Sequence, residues 1–169
     1  MNALNFRTPI DAIDDLDDES LCEAATDLIW PDLLVQDELK HIAQGTLGQQ
    51  AVYTATIFAR EVDNGGFWQF FHNSSGMYWR HVRDGLELVG AEEHAEVFAV
   101  ALKGFSGGEP PLDERERREI LDEIYDSYKI SVRSLEDRIY KLGGFETTLR
   151  PYWAAYIREH PDEFFLLNH

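Results

Sequence analysis

An all-α fold, built as a single compact multi-helix domain over residues 1–169, is predicted by three features of this sequence. Apolar residues recur at helical spacing through most of the chain, and no run alternates with the period of a strand or repeats at a fixed interval. With 169 residues and 44% hydrophobic content there is material for one buried core, while two domains would be cramped. Aromatics are plentiful and no long polar low-complexity tract occurs, which argues against wholesale disorder. Residues 1–17 read as an N-terminal arm.

The elements follow in order. From Glu19 to Ile29, Leu21, Cys22, Ala25, Leu28 and Ile29 share one helical face, while Glu19, Glu23 and Asp27 form an i, i+4 acidic column opposite, ending before Pro31. Leu47 to Asp63 is a long, largely apolar helix. Asn64-Gly65-Gly66 is expected to stop it, because glycine most readily takes the left-handed conformation of a helix C-terminus. Phe67, Phe70 and Phe71 then fall at i, i+3 and i+4, a one-sided aromatic plug. Asn73-Ser74-Ser75-Gly76 ends the plug and can cap the next helix at Tyr78. Tyr78, Val82, Leu86 and Val89 make the following stripe, with Gly90 as its stop. Ala91, Ala95, Phe98, Leu102 and Phe105 repeat at +4, +3, +4, +3. Gly104 to Pro111 is the best loop candidate. Asp113 can cap a helix running through Tyr128 whose inner face is Ile120, Leu121, Ile124, Tyr125 and Tyr128. Ser134 to Leu142 and Thr147 to Glu159 complete the set, the latter turning Leu149, Tyr152, Trp153, Tyr156 and Ile157 inward.

Charge is where function begins to show. The chain holds 32 acids against 15 Lys and Arg, a net −17, which keeps a protein soluble while its self-repulsion destabilises the compact state. The distribution is uneven: Asp11 to Glu38 contains eleven acids and no Lys or Arg, leaving 21 acids against 14 bases beyond it. A second base-free window, Asp84 to Leu102, holds Asp84, Glu87, Glu92, Glu93 and Glu96. A third, Glu109 to Asp126, has eight acids diluted by Arg115, Arg117 and Arg118. No basic patch for nucleic acid is present. The single cysteine, Cys22, permits no intramolecular disulfide, which suits a reducing compartment. No secretory signal and no apolar run near the ~20 residues of a membrane span is found, so the cytoplasm is the expected location.

Three patterns resemble catalytic or metal motifs and lack their context. Gly104-Phe105-Ser106-Gly107-Gly108 fits G-x-S-x-G, but that motif works on a strand-to-helix turn, and here a helix precedes it. Glu38-x-x-His41 has the spacing of helical di-iron sites without a second pair. His72 and His81 lie near the aromatic motif without a Cys partner or close His spacing. Without a Walker loop or dinucleotide fingerprint, no catalytic residue, no metal and no cofactor is expected, and the protein is read as not being an enzyme.

The segment Asn64-Gly65-Gly66-Phe67-Trp68-Gln69-Phe70-Phe71-His72-Asn73-Ser74-Ser75-Gly76 resembles the signature of the bacterial DNA-mimic protein family, small acidic proteins of which one member occupies the DNA-binding face of a transcription repressor. The lead-in Arg60-Glu61-Val62-Asp63 is close to the family's wording. Val89-Gly90-Ala91 and Tyr156-Ile157-Arg158-Glu159-His160-Pro161 with Phe164-Phe165 are similar too, so the likeness runs over about residues 45 to 165. Trp68 and His72 depart from the pattern, and the first 40 residues do not align. Most of the signature reads as structural: Phe67, Phe70 and Phe71 as core, Asn64, Gln69, Asn73 and Ser74 as polar groups fixing two turns. Trp68 and Trp79 fit either the core or an interface, where aromatics are favoured.

The resemblance implies a homodimer and an acidic binding protein that competes with DNA for a DNA-binding protein or other basic partner. Carboxylates standing in for phosphates are expected at Asp14, Asp15, Asp17, Asp18, Glu19, Glu23 and Asp27, at Glu92, Glu93 and Glu96, and at Asp113 and Glu116. DNA presents about one charge per 1.7 Å of axis counting both strands, whereas an i, i+4 column offers roughly one per 6 Å. One helix cannot imitate a duplex, and several acidic elements must combine. An immunity protein or antitoxin capping a basic toxin such as a nuclease is the alternative, since it would exploit the same charge.

Overall fold

A computed structural model describes residues 8–10, 13–27, 29 and 37–167. Its organising element is α3 (Leu47–His72), which is apolar nearly all round and is therefore driven inside. Ala51, Val52, Tyr53, Ala55, Phe58, Ala59 and Val62 are all buried along it. Its start is fixed by a capping box, in which Thr46 Oγ1 accepts from the Gln49 N–H while Gln49 Oε1 accepts from the Thr46 N–H.

Before α3 come β1 (Thr8–Ile10), α1 (Asp18–Thr26) and α2 (Glu38–Ile42). After it follow a 3-10 turn at Ser74–Tyr78, α4 (Trp79–Leu88), α5 (Glu92–Leu102), a second 3-10 turn at Ser106–Gly108, α6 (Glu114–Glu123), α7 (Tyr125–Tyr140), α8 (Phe145–Glu159), α9 (Pro161–Phe164) and β2 (Phe165–Leu167). α4, α8, α6, α7, α1 and α9 all pack on α3, and α1 rests mainly on α8. The fold class is all-α. The centre is an aromatic cluster around Phe58, whose ring lies 5.0 Å from Phe98, 5.1 Å from Phe70, 5.6 Å from Phe145 and 5.9 Å from Phe67. The pairs with Phe98, Phe70 and Phe145 are edge-on, an arrangement that adds about 0.5–1.5 kcal/mol each beyond buried area.

Four expectations change. The chain does not stop at Asn64-Gly65-Gly66. Gly65 (φ −151°) and Gly66 (φ 77°, ψ −179°) interrupt α3 with a kink, after which it resumes to His72. The helix expected through Tyr128 breaks at Ile124 (φ −105°, ψ 10°), so α7 begins at Tyr125 and absorbs the separate helix expected from Ser134. Tyr125 and Tyr152, expected inside, are exposed at 45% and 36%. Finally, β1 and β2 form a parallel two-stranded ladder, Thr8 opposite Phe165, where the sequence suggested an arm without strands. The remainder of that arm at 1–7 and 11–12, and Leu28, lie outside the described residues. Among the described residues no helix is long and apolar enough to cross a membrane.

Candidate functional site

The signature is organised by carboxylates. On the last straight turns of α3, Glu61 Oε2 accepts from Gln69 Nε2 (2.7 Å) and Asn73 Nδ2 (2.9 Å), and its Oε1 accepts from Ser75 Oγ (3.1 Å). Asn64 Nδ2 donates to Gln69 Oε1 at 3.0 Å. The glycine kink is what folds residues 69–75 back toward position 61. Ser75, not Ser74, is the buried hydroxyl of the pair, and Ser74 is exposed.

Two more acids complete helix ends from a distance. Glu136 on α7 accepts the Phe67 N–H at 2.8 Å, satisfying an amide that the kink frees from the helical ladder. A Cβ on Gly66 would run into that Glu136 oxygen, so both its positive φ and its space favour glycine. Asp63 caps α8, with Oδ1 accepting from the Phe145 N–H (2.7 Å) and Oδ2 from the Glu146 N–H (3.0 Å).

Arg117 closes the other end of α3. Fully buried, it donates to the carbonyls of Phe71, Asn73 (2.7 Å), Pro111 (2.8 Å) and Leu112 (3.1 Å), while Arg118 Nε donates to the His72 carbonyl at 2.7 Å. Burial pulls the Arg117 pKa below its usual value. Arg117 therefore does not dilute the surface acids of its window, as its place in the sequence suggested.

Signature and α2 together frame a cavity of about 510 Å³, with Glu38, Tyr53, Glu61, Asn73 and Tyr78 among its walls. The Tyr78 phenol is buried beside the Glu38 carboxylate. Burial first, and then the nearby Glu38 carboxylate, push its pKa up. Tyr53, also buried, is shifted in the same direction for the same reasons. Sequence reasoning missed Glu61, Asp63, Glu136 and Arg117 as working residues. A recoverable signal existed only for Glu61, at 8, 12 and 14 residues before its three donors.

The acidic candidates divide by what they touch. Asp17 caps α1, accepting from the Ser20 N–H at 2.8 Å, and these hydrogen bonds hold its carboxyl below the usual range. Asp113 caps α6 through the Glu116 N–H at 2.9 Å. Asp18 pairs with Arg158 (2.7 Å), Glu19 with Arg150 (3.7 Å) and Glu93 with Arg138 (2.9 Å). Asp14, Asp15, Glu23, Asp27, Glu92, Glu96 and Glu116 are exposed and have no ion-pair partner among the described residues. These free acids sit on separate elements: α1 rests on α8 and α3, α5 on α4 and α7, and α6 on α3 and α7.

The three motif look-alikes occupy ordinary places. Ser106 begins a 3-10 turn after helix α5, with Gly107 at φ 67°. His41 Nε2 bonds the Ile29 carbonyl at 3.1 Å, and no group of three or more metal-ligating side chains occurs among the described residues. His72 stacks on Trp68 with ring centres 4.2 Å apart. Trp79 is core, 1% exposed, whereas Trp68 is half-buried with Tyr125 edge-on at 5.6 Å. Cys22 is buried and its thiol pushed up to about 12 by desolvation, which makes it a poor nucleophile.

Fold and site define a small acidic all-helical protein whose glycine-kinked central helix is locked by internal carboxylates. The family described as DMP19-like protein matches residues 43–160, and the chain belongs to that family. No curated protein and no solved structure gives a match.

Proposed function

We propose that the protein is a non-enzymatic acidic binding protein that mimics the charge of DNA and competes for the DNA-binding surface of a basic partner such as a transcription repressor. The observation carrying this reading is the division of the acids. Those near the core are used as caps and hydrogen-bond acceptors, while Glu23, Asp27, Glu92, Glu96 and Glu116 stay exposed without a cation among the described residues. Membership of the DMP19-like family supports it. Because free acids lie on separate elements, a duplex-like density needs either a partner that spans several helices or two copies side by side, and a homodimer is part of the proposal.

The test begins with capture of a partner from lysate and elution by salt, followed by competition against a DNA duplex. Neutralising Glu23, Asp27, Glu92, Glu96 and Glu116 together to Gln or Asn should slow association and flatten its salt dependence. Unchanged association rate and salt dependence would defeat the proposal, and a captured nuclease toxin in place of a DNA-binding regulator would favour an immunity role.

A further inference from the structure

Two copies of a chain with net charge −17 repel each other, so any contact between them must avoid the acidic surface. We propose that copies pair through the solvent face of α7 and the adjoining end of α5, with the two α7 helices antiparallel about a two-fold axis near Ile130; this rests on the reading of the protein as a paired charge mimic.

Charge selects the face. The chain holds 32 acids, yet Val97 to Gly108 and Ser127 to Leu135 contain none. These two runs come together because α5 packs on α7. Their cations, Lys103, Lys129 and Arg133, have no ion-pair partner among the described residues, whereas Arg138, Arg150 and Arg158 each face a carboxylate. A surface with free cations and few acids is where a second acidic copy meets the least repulsion.

Apolar shape points to the same face independently. Ile130 is 77% exposed, and α7 also exposes Tyr125 and Tyr140, while no other helix among the described residues exposes more than one large apolar side chain. Beside Ile130 lies a hollow of about 370 Å³ lined by Val100, Gly104, Ile124, Ser127 and Ser131. The Ser127 and Ser131 hydroxyls donate to the Ile124 and Tyr128 carbonyls of their own turns, at 2.9 and 2.7 Å, so the wall suits an apolar side chain. One exposed isoleucine is ordinary. A knob next to a hollow on one face is self-complementary, which is what a two-fold contact between identical copies needs.

The sequence of the stripe fixes the direction. Asp126, Ile130 and Arg133 follow at i, i+4 and i+7 on α7, and Asp126 and Arg133 are exposed. An antiparallel crossing centred near Ile130 sets Asp126 of each copy opposite Arg133 of the other. A parallel one would set each charge against its own kind. None of the acids assigned to the basic partner on α1, α5 and α6 is consumed by this contact.

The test is sedimentation equilibrium of the full chain from about 1 to about 500 μM, which spans the affinities of modest specific interfaces. The parent should be a dimer. Ile130→Asp should raise its dissociation constant at least about 100-fold, since each dimer buries two copies of the side chain. Arg133→Glu should raise it at least about tenfold, and the charge swap Asp126→Arg with Arg133→Glu should return it to within about threefold of the parent. All three side chains are exposed, so circular dichroism and the thermal midpoint should match the parent. If Ile130→Asp nonetheless folds poorly, the charge swap alone carries the test. Leu47→Asp, in the second apolar groove between α3 and α4, should leave the dimer intact.

A parent that stays monomeric throughout, an Ile130→Asp variant that dimerises like the parent, or dissociation by Leu47→Asp in its place overturns the α7 interface. A charge swap that fails to restore association overturns the antiparallel register. These outcomes are read without the basic partner. They are thus distinct from failure of the mimicry reading, in which neutralising the acids of α1, α5 and α6 leaves partner binding untouched.

Discussion

Glu61, Asp63 and Glu136 carry the same functional group as Glu23, Asp27 and Glu96, yet the two sets act in opposite ways. The first set sits around the glycine kink and accepts hydrogen bonds from Gln69, Asn73, Ser75, Phe67 and Phe145. The second set projects from α1 and α5 into solvent. The difference teaches that net charge is a poor guide to binding surface. What distinguishes an acid available to a partner is the absence of an internal donor, and that is decided by tertiary structure.

The sharpest way to break the contrast is to attack the core that the signature builds. Phe70→Ala empties a fully buried site within the Phe58 cluster and should cost about 3–5 kcal/mol in urea unfolding; a loss under about 1 kcal/mol would show that the signature is not a fold determinant. Glu136→Ala strands the buried Phe67 N–H and should cost about 1–3 kcal/mol. Asp63→Ala removes the α8 cap and should cost about 0.5–2 kcal/mol, visible as faster amide exchange at Phe145 and Glu146.

Acid pH probes the core from another side. His94 is 3% exposed, Nε2 bonded to Thr148 Oγ1 at 2.8 Å, and burial lowers its pKa in the fold; half-buried His81 is shifted the same way. The unfolded chain therefore takes up protons first. Stability should be full above the ordinary histidine pKa of about 6.5 and fall as pH drops below it toward the depressed folded values. Thermal unfolding at pH 7.5 and 5.5 checks this, with His94→Gln expected to reduce the difference. Smallest of all should be Glu96→Gln, within about 0.5 kcal/mol in either direction. A large loss there would dissolve the distinction between internal and external acids.

Much of this architecture is legible in the sequence. Leu21, Cys22 and Ala25 are buried on α1 and Glu19, Glu23 and Asp27 exposed, as an amphipathic stripe requires. Phe98, Leu102 and Phe105 are core, and Gly90 stops its helix at φ 73°. What sequence could not give was whatever depends on a distant residue. Gly65-Gly66 looks like a terminator locally, but Glu136, about 70 positions later, supplies the acceptor that lets the helix restart at Phe67. The break at Ile124 carries neither glycine nor proline to announce it. Tyr152 has the right spacing for the core, but it lies at the rim, with its ring 5.9 Å from His94. Asp63 reads as one more surface acid until α8 is placed against it.

The cap of α8 also says something about the order in which the protein can be completed. Asp63 leaves the ribosome 82 residues ahead of the amide it serves, and Asp18 emerges 140 residues before the Arg158 that fastens α1 to α8. During synthesis the acidic helix thus lacks its main platform and has only α3 to rest on. A chain interrupted before α8 would keep most of the acids of the finished protein and lose the Arg158 and Arg150 contacts that hold α1 in place.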